Sequence, residues 1–342
     1  MKPIRFAQAI TQALDEEMER DEQVILLGED IGAPGGAFGI TKGLLDKYGE
    51  LRVFDTPISE EAIVGAAVGS SIMGARPVVE IMFNDFVVLA MDQIVNQAAK
   101  IHYMTGGRLS APLVIRMLCG TNGSTAAQHS QSLEAWFTHV PGLKVVAPSS
   151  PEDAKAFLKA AIRDPDPVMF FEQRMLYNTK GEVPEDLEPA RFGEGRVVRS
   201  GTDLTIATYM KGVHLALEAA ELLEEEGISV EVWDVRSLVP FDRDGLRASL
   251  ERTGRLLTLH EAVVRGGFGA EMAAIAAEEM FDLLKAPIAR VGALASPHAY
   301  APELENTMLP SVERVVDAAR LTVGRREQDK RGWRQQSAET AA

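Results

Sequence analysis

A single cysteine, Cys119, occurs in the 342 residues, so neither a disulfide framework nor a cysteine-built zinc site can be assembled within the chain. A surplus of basic residues is missing as well: 35 lysines and arginines stand against 50 aspartates and glutamates, a formal charge of −15. That sign repels phosphate backbones and anionic lipid, so nucleic acid and membrane surfaces are not expected partners. No apolar run is long enough to span a bilayer. The opening Met1-Lys2-Pro3-Ile4-Arg5-Phe6 passes into an amphipathic pattern without the apolar core of a signal peptide. A reducing, cytoplasmic setting is the expectation.

What is present describes a globular protein. Apolar residues make up 46% and charged residues 25% of the chain, and the length suits two domains. Phe6, Ile10, Leu14 and Met18 recur every four residues, which predicts a helix over 6–20. Short apolar runs at 24–27, 53–54, 78–81, 113–116, 144–147 and 168–171 read as strands, with helical patterns at 60–73, 86–102, 133–137 and 151–163. The alternation predicts an α/β fold with mainly parallel sheets covered by helices. Residues 181–200 are broken by Gly181, Pro184, Pro189, Gly193 and Gly195 and read as a linker. A second α/β unit follows over 201–324, with strands at 204–208, 230–233, 256–259 and 288–291 and helices at 213–226, 242–252 and 270–284. The polar stretch 325–342 reads as a mobile tail.

Candidate functional residues each have a plainer explanation. Glu60 and Glu61 fall in a first helical turn, where the macrodipole favours carboxylates without any chemistry. Thr56-Pro57 or Ser59 is the expected helix start. His129, one of six histidines, is by type more often packed than catalytic. Its neighbours Gln128, Ser130 and Gln131, after the polar Gly120-Thr121-Asn122-Gly123-Ser124-Thr125, give it the setting of an accessible site loop. Phe83 and Phe86 follow a strand and could stack on a flat ring, although core packing is the default. Gly65 and Gly69 share one helix face and suit a close helix crossing. Gly266-Gly267-Phe268-Gly269 lacks the dinucleotide spacing and reads as a packing turn.

Several stretches in order carry a resemblance: Asp55 through Glu60, Glu80-Ile81-Met82-Phe83-Asn84-Asp85-Phe86, Met91-Asp92-Gln93, Ala126-Ala127-Gln128-His129-Ser130-Gln131 and Pro141-Gly142-Leu143-Lys144-Val145-Val146. The chain resembles the beta subunit of the decarboxylating component of 2-oxo acid dehydrogenase complexes, of the pyruvate and acetoin type. The resemblance implies a transketolase-like chain with a pyrimidine-binding domain over 1–180 and a C-terminal transketolase-like domain over 201–324. It implies an α2β2 heterotetramer with an alpha subunit and a second beta subunit, docked on a lipoyl acyltransferase core. The implied cofactors are thiamine diphosphate, Mg2+ and K+.

By the same resemblance Glu60 faces N1′ of the aminopyrimidine, Phe86 stacks on that ring, and His129 assists acyl transfer to a lipoyl arm. Glu29, beside the cofactor, and Asp92 match acids that relay a proton between active sites. Leu113, Ala161, Ile162, Asp164 and Asp166 match a monovalent-cation site, with Asp166 standing where the family pattern has asparagine. No Gly-Asp-Gly diphosphate and magnesium motif occurs in this sequence, so that half of the site is expected from the alpha subunit. The implied activity is oxidative: decarboxylation of a 2-oxo acid, or cleavage of acetoin, with reductive acylation of a lipoyl carrier. A branched-chain substrate, a non-catalytic scaffold and a self-sufficient transketolase are the alternative readings.

Overall fold

A computed structural model describes residues 3–324; the expected tail, 325–342, lies outside the described residues. The chain divides into two compact units. The first takes in the chain up to Asn122, His129–Phe192 and Leu238–Pro240; the second takes in Gly123–Gln128, Gly193–Ser237 and the chain from Phe241 onward.

A seven-stranded sheet organises the first unit, in the order Ser237–Val239, Lys144–Val146, Val168–Gln173, Val114–Cys119, Arg76–Ile81, Val24–Gly28, Val53–Asp55. The six strands from Lys144–Val146 to Val53–Asp55 pair in parallel. Val114–Cys119 and Val168–Gln173, in the middle, are buried at every position, as strands covered on both faces must be. The helix Phe6–Arg20 buries Phe6, Ile10, Leu14 and Met18, as their spacing predicts. It packs on Pro151–Arg163, where the fully buried Glu17 pairs with Arg163 at 2.6 Å and with Arg20 at 2.8 Å.

The segment expected to be one helix over 86–102 differs. Residues Asn84–Ala90 form a tight 3₁₀ turn, Gln93–Ala98 a wide π segment, and only Ala99–Met104 is regular α-helix. Helix Glu60–Ile72 packs against both irregular segments, and a Cβ built on Gly65 would meet the Gln93 side chain at 3.5 Å. Packing between helices therefore sets this backbone, and π turns of this kind concentrate at functional sites.

In the second unit the sheet order is Ala289–Ala293, Leu256–Val263, Leu204–Thr208, Val230–Asp234, Arg196–Arg199. Its first four strands are parallel, and Arg196–Arg199, within the stretch read as a linker, adds antiparallel to Val230–Asp234. Asp242 caps helix Arg243–Thr253 by accepting from Gly245 N at 2.8 Å. The Gly266 to Gly269 turn is a packing device: Cβ atoms at Gly267 and Gly269 would stand 2.6 and 2.7 Å from the His260 ring. That imidazole is buried, bonded through Nδ1 to Ala262 O at 3.0 Å, and desolvation pushes its pKa down to about 4. Helices Pro302–Met308 and Val312–Gly324 were not anticipated; the latter buries Val315, Val316 and Ala319 in the core of this unit. Among the described residues no helix is long and apolar enough to cross a membrane.

Candidate active site

Glu29, Glu60, Phe83, Phe86 and His129 each follow the carboxyl end of a parallel strand. Val24–Gly28 leads into Glu29, Val53–Asp55 into Glu60, Arg76–Ile81 into Phe83 and Phe86, and Val114–Cys119 into the loop that reaches His129. Open α/β sheets form their ligand crevices along this edge.

Glu60 is the first residue of helix Glu60–Ile72 and only 5% exposed. Ser59 holds the N-cap position, yet its side chain makes no capping bond, so the helix start rests on tertiary packing rather than on the cap expected of it. Four residues earlier, Thr56 Oγ1 is buried without a hydrogen-bond partner. The two strand ends are tied by Thr56 N donating to Gly28 O at 3.0 Å, and the glycine loop after Glu29 is closed by Gly32 N donating to Asp55 Oδ1 at 2.6 Å. This brings two acids into one field. Burial first, and then the charges of Glu60 and Asp30, raise the half-buried Glu29 carboxyl above the ordinary carboxylate range.

Phe86 and His129 meet edge to face at 5.3 Å between ring centroids, and Phe83 contacts both, His129 at 5.1 Å and Phe86 at 5.7 Å. The backbone beneath them is clamped. Asn84, fully buried, donates through Nδ2 to Gln131 O at 2.9 Å and accepts from Leu133 N at 2.9 Å. Asp85 Oδ1 accepts from Gln131 N at 3.2 Å and from Gln131 Nε2 at 2.9 Å. Two polar residues between aromatic neighbours thus stitch one strand end to the loop holding His129. Sequence reasoning used Asn84 and Asp85 only as part of a matching stretch. Their placement between Phe83 and Phe86 was the available signal, and their partners lie too far along the chain to be read from spacing.

Asp92 is exposed and accepts from Asn96 Nδ2 at 2.7 Å; the structure places it beside the π segment, and it joins neither pair above. The five residues read as a cation site have cationic side chains against three of them. Arg76 Nη1 donates to Ile162 O at 2.9 Å and to Asp164 O at 3.2 Å. Lys144 Nζ reaches Asp164 Oδ1 at 2.6 Å and Asp166 Oδ2 at 3.3 Å. Leu113 O accepts from Val168 N at 3.0 Å and Ala161 O from Asp164 N at 3.3 Å. The positive charge at this locality is supplied by the chain.

The family model of the transketolase pyrimidine binding domain matches residues 2–180, and that of the transketolase C-terminal domain matches residues 193–315. The beta subunit of acetoin:2,6-dichlorophenolindophenol oxidoreductase from Cupriavidus necator is 48% identical over 92% of this chain and 96% of its own length. The chain belongs to the transketolase-like family of acetoin and pyruvate dehydrogenase beta subunits. The mitochondrial pyruvate dehydrogenase E1 component subunit beta-2 of Oryza sativa subsp. japonica is 46% identical over 93% of this chain and 86% of its own. Among solved structures, a split-gene transketolase described as an inactive beta4 tetramer superposes with a TM-score of 0.77 at 26% identity, covering 94% of this chain and 99% of that one.

The family depends on thiamine diphosphate. The residues here fit the pyrimidine half of that molecule: a buried carboxyl at Glu60, flat rings at Phe83 and Phe86, and the unsatisfied Thr56 hydroxyl. They do not offer the diphosphate half. No Gly-Asp-Gly run exists in the sequence, and among the described residues no group of three His, Cys, Asp or Glu side chains is arranged to hold a metal ion.

Proposed function

We propose that this chain is the beta half of a thiamine diphosphate-dependent dehydrogenase. With an alpha subunit it would take a 2-oxo acid or acetoin and pass a two-carbon acyl unit to a lipoyl carrier. The observation that carries the reading is the buried Glu60 carboxyl beside the raised carboxyl of Glu29, at the ligand-binding edge of a pyrimidine-binding sheet. Similarity to acetoin and pyruvate dehydrogenase beta subunits at nearly equal identity supports a substrate that leaves a two-carbon fragment, since cleaving acetoin and decarboxylating pyruvate yield the same acetyl-level unit.

When bound, the cofactor supplies a carbon nucleophile that adds to the oxo group and accommodates the electron pair left by bond cleavage. Glu60 holds the proton at N1′ of the aminopyrimidine, in a site dry enough for that hydrogen bond to be strong. Glu29 lies within Glu60's field and can receive or return that proton; Asp92, exposed, would extend the relay toward the second active site of the α2β2 assembly. Phe86 would stack on the pyrimidine. His129, oriented by Phe83 and Phe86, would stabilise charge on the reacting acyl group and assist its transfer to the dithiolane.

The alpha subunit supplies the diphosphate and Mg2+ cradle, which the missing Gly-Asp-Gly supports. A second beta subunit completes the tetramer, and a lipoyl acyltransferase core accepts its product. A K+ ion at Asp164 and Asp166 would share its ligands with Arg76 and Lys144. We place the assembly in the cytoplasm, in line with a single cysteine in a strongly acidic chain. The test is reconstitution with the alpha subunit: Glu60→Gln lowers turnover by about a hundredfold or more, the scale of a lost general acid-base group, whereas near-normal turnover would remove Glu60 from the mechanism.

A further inference from the structure

Behind the three-ring contact at His129 lies a second structure that the proposed chemistry does not use. Glu80, Arg116 and Glu172 sit on three neighbouring strands, Arg76–Ile81, Val114–Cys119 and Val168–Gln173. Arg116 is 3% exposed and forks onto Glu172 through Nε at 2.7 Å and Nη2 at 3.1 Å, while Nη1 holds Glu80 at 2.9 Å. A buried, bidentate pair of this kind has little freedom to move. Tyr177 donates its hydroxyl to Glu172 Oε2 at 2.7 Å and so is locked to the cluster.

From Tyr177 the contacts run outward through rings. Phe38 stands edge-on to Tyr177 at 6.1 Å and edge-on to Phe83 at 5.9 Å, and Phe83 in turn contacts His129 at 5.1 Å. The Arg174 guanidinium lies over both Phe38 and Tyr177, at 5.1 and 5.5 Å from their centroids. The cavity between Phe38, Tyr177 and the ion cluster measures only about 10 Å³, at the lower limit for one water. That volume is too small for an organic ligand, so the arrangement acts as a buttress. Phe38 belongs to the glycine loop that follows Glu29, so one ring touches both the Glu29 loop and the aromatic wall of His129.

We infer that Phe38 is a positioning residue for His129, transmitting the rigidity of the Tyr177–Glu172–Arg116 cluster through Phe83 to the imidazole. It is not a catalytic residue, since nothing places it against substrate or cofactor. Edge-to-face ring contacts have directional preference beyond the area they bury. Replacing Phe38 by an aliphatic side chain of similar bulk removes that direction while keeping most of the packing.

The inference rests on the acyl-transfer role proposed for His129, and the experiment separates the two. In the holoenzyme with alpha subunit, thiamine diphosphate and Mg2+, Phe38→Leu lowers reductive acylation of a free lipoyl domain by about fivefold to tenfold. Reduction of the dye dichlorophenolindophenol, which bypasses the lipoyl arm, falls by a smaller factor than acylation does, and Phe38→Tyr, which retains the ring, restores acylation. In a His129→Ala background the same Phe38→Leu change costs less than about twofold further, as coupled residues require. An equal loss with and without His129 overturns the inference. Should His129→Ala alone leave acylation intact, the role of His129 falls. A crystal structure of the Phe38→Leu holoenzyme then still decides the positioning: a displaced imidazole upholds it and an unmoved one overturns it.

Discussion

Glu60 raises the carboxyl of Glu29: the two acids leave adjacent parallel strands, and the negative charge of one adds to the burial of the other. Glu29 therefore keeps its proton to a higher pH when folded than when unfolded. A carboxyl shifted in this sense stabilises the fold at low pH and costs stability once pH rises through its folded pKa. Glu29→Gln should raise the melting temperature near neutral pH, with the gain vanishing in acid. A melting series from about pH 4 to pH 8 checks it; a gain that grows toward low pH would contradict the coupling.

Asn84 ties the strand end to the loop of His129 through Gln131 O and Leu133 N. Asn84→Ala leaves the Leu133 N–H unpaired and removes one of the two donors to Gln131 O, which keeps Gly120 N at 2.7 Å, at a cost of about 1–3 kcal/mol, and should lower the melting temperature. Turnover in the reconstituted tetramer should fall by about tenfold, because a loosened loop misplaces the imidazole. Thermal melts and steady-state kinetics on the same preparation test both, and unchanged values in each would remove the clamp.

The buried imidazole of His260, held down to about 4, is an acid-sensitive element of the second unit. Its folded pKa lies below the unfolded value, so the unfolded chain takes up the proton first. Stability is fully present above about pH 6.5 and declines as pH falls toward 4, by about 3 kcal/mol in all. His260→Gln should be less stable throughout, but its stability should vary less with pH across that window, by about one proton. Denaturant titrations at several pH values read that slope directly.

Arg76 and Lys144 bring positive charge to the locality of Asp164 and Asp166. Exchanging potassium for tetramethylammonium at constant ionic strength should move the melting temperature of the tetramer by less than about 1 °C, since a ligand that competes with tethered cations binds weakly. A rise of several degrees with potassium would establish a tightly held ion.

Much of the fold is visible in the sequence because local pattern and tertiary need agree. The fourfold spacing of Phe6, Ile10, Leu14 and Met18 is the buried face of the first helix, and the apolar runs at 114–119 and 168–173 are strands hidden on both sides. Glu60 and His129 were legible through the stretches around them. The clamp at Asn84 was not, because its partners are brought close only by the sheet. The π segment Gln93–Ala98 escaped notice since its apolar positions also suit an ordinary helix, and only the packing of helix Glu60–Ile72 against it shows the difference. Strand Ser237–Val239 is too short for its pattern to stand out. Phe38 carries no signal of its own in a glycine loop, and acquires meaning only from the rings on either side of it.

The ring of His260 and the glycines around it also constrain how this sequence can change over generations. Gly267 and Gly269 have backbones so close to the imidazole that a single added carbon at either would collide with it, and a Cβ added at Gly292 would stand 3.2 Å from its Cε1. A methyl group arriving at one of these positions meets more than the ring: Val263 O stands 2.7 Å from a Cβ at 267, Thr258 Oγ1 2.7 Å from one at 269, and Ala262 O 2.6 Å from one at 292. A larger ring at 260 has nowhere to go at all. Positions 267, 269 and 292 are therefore closed to any side chain, because the ring at 260 is only one of the walls that each would meet.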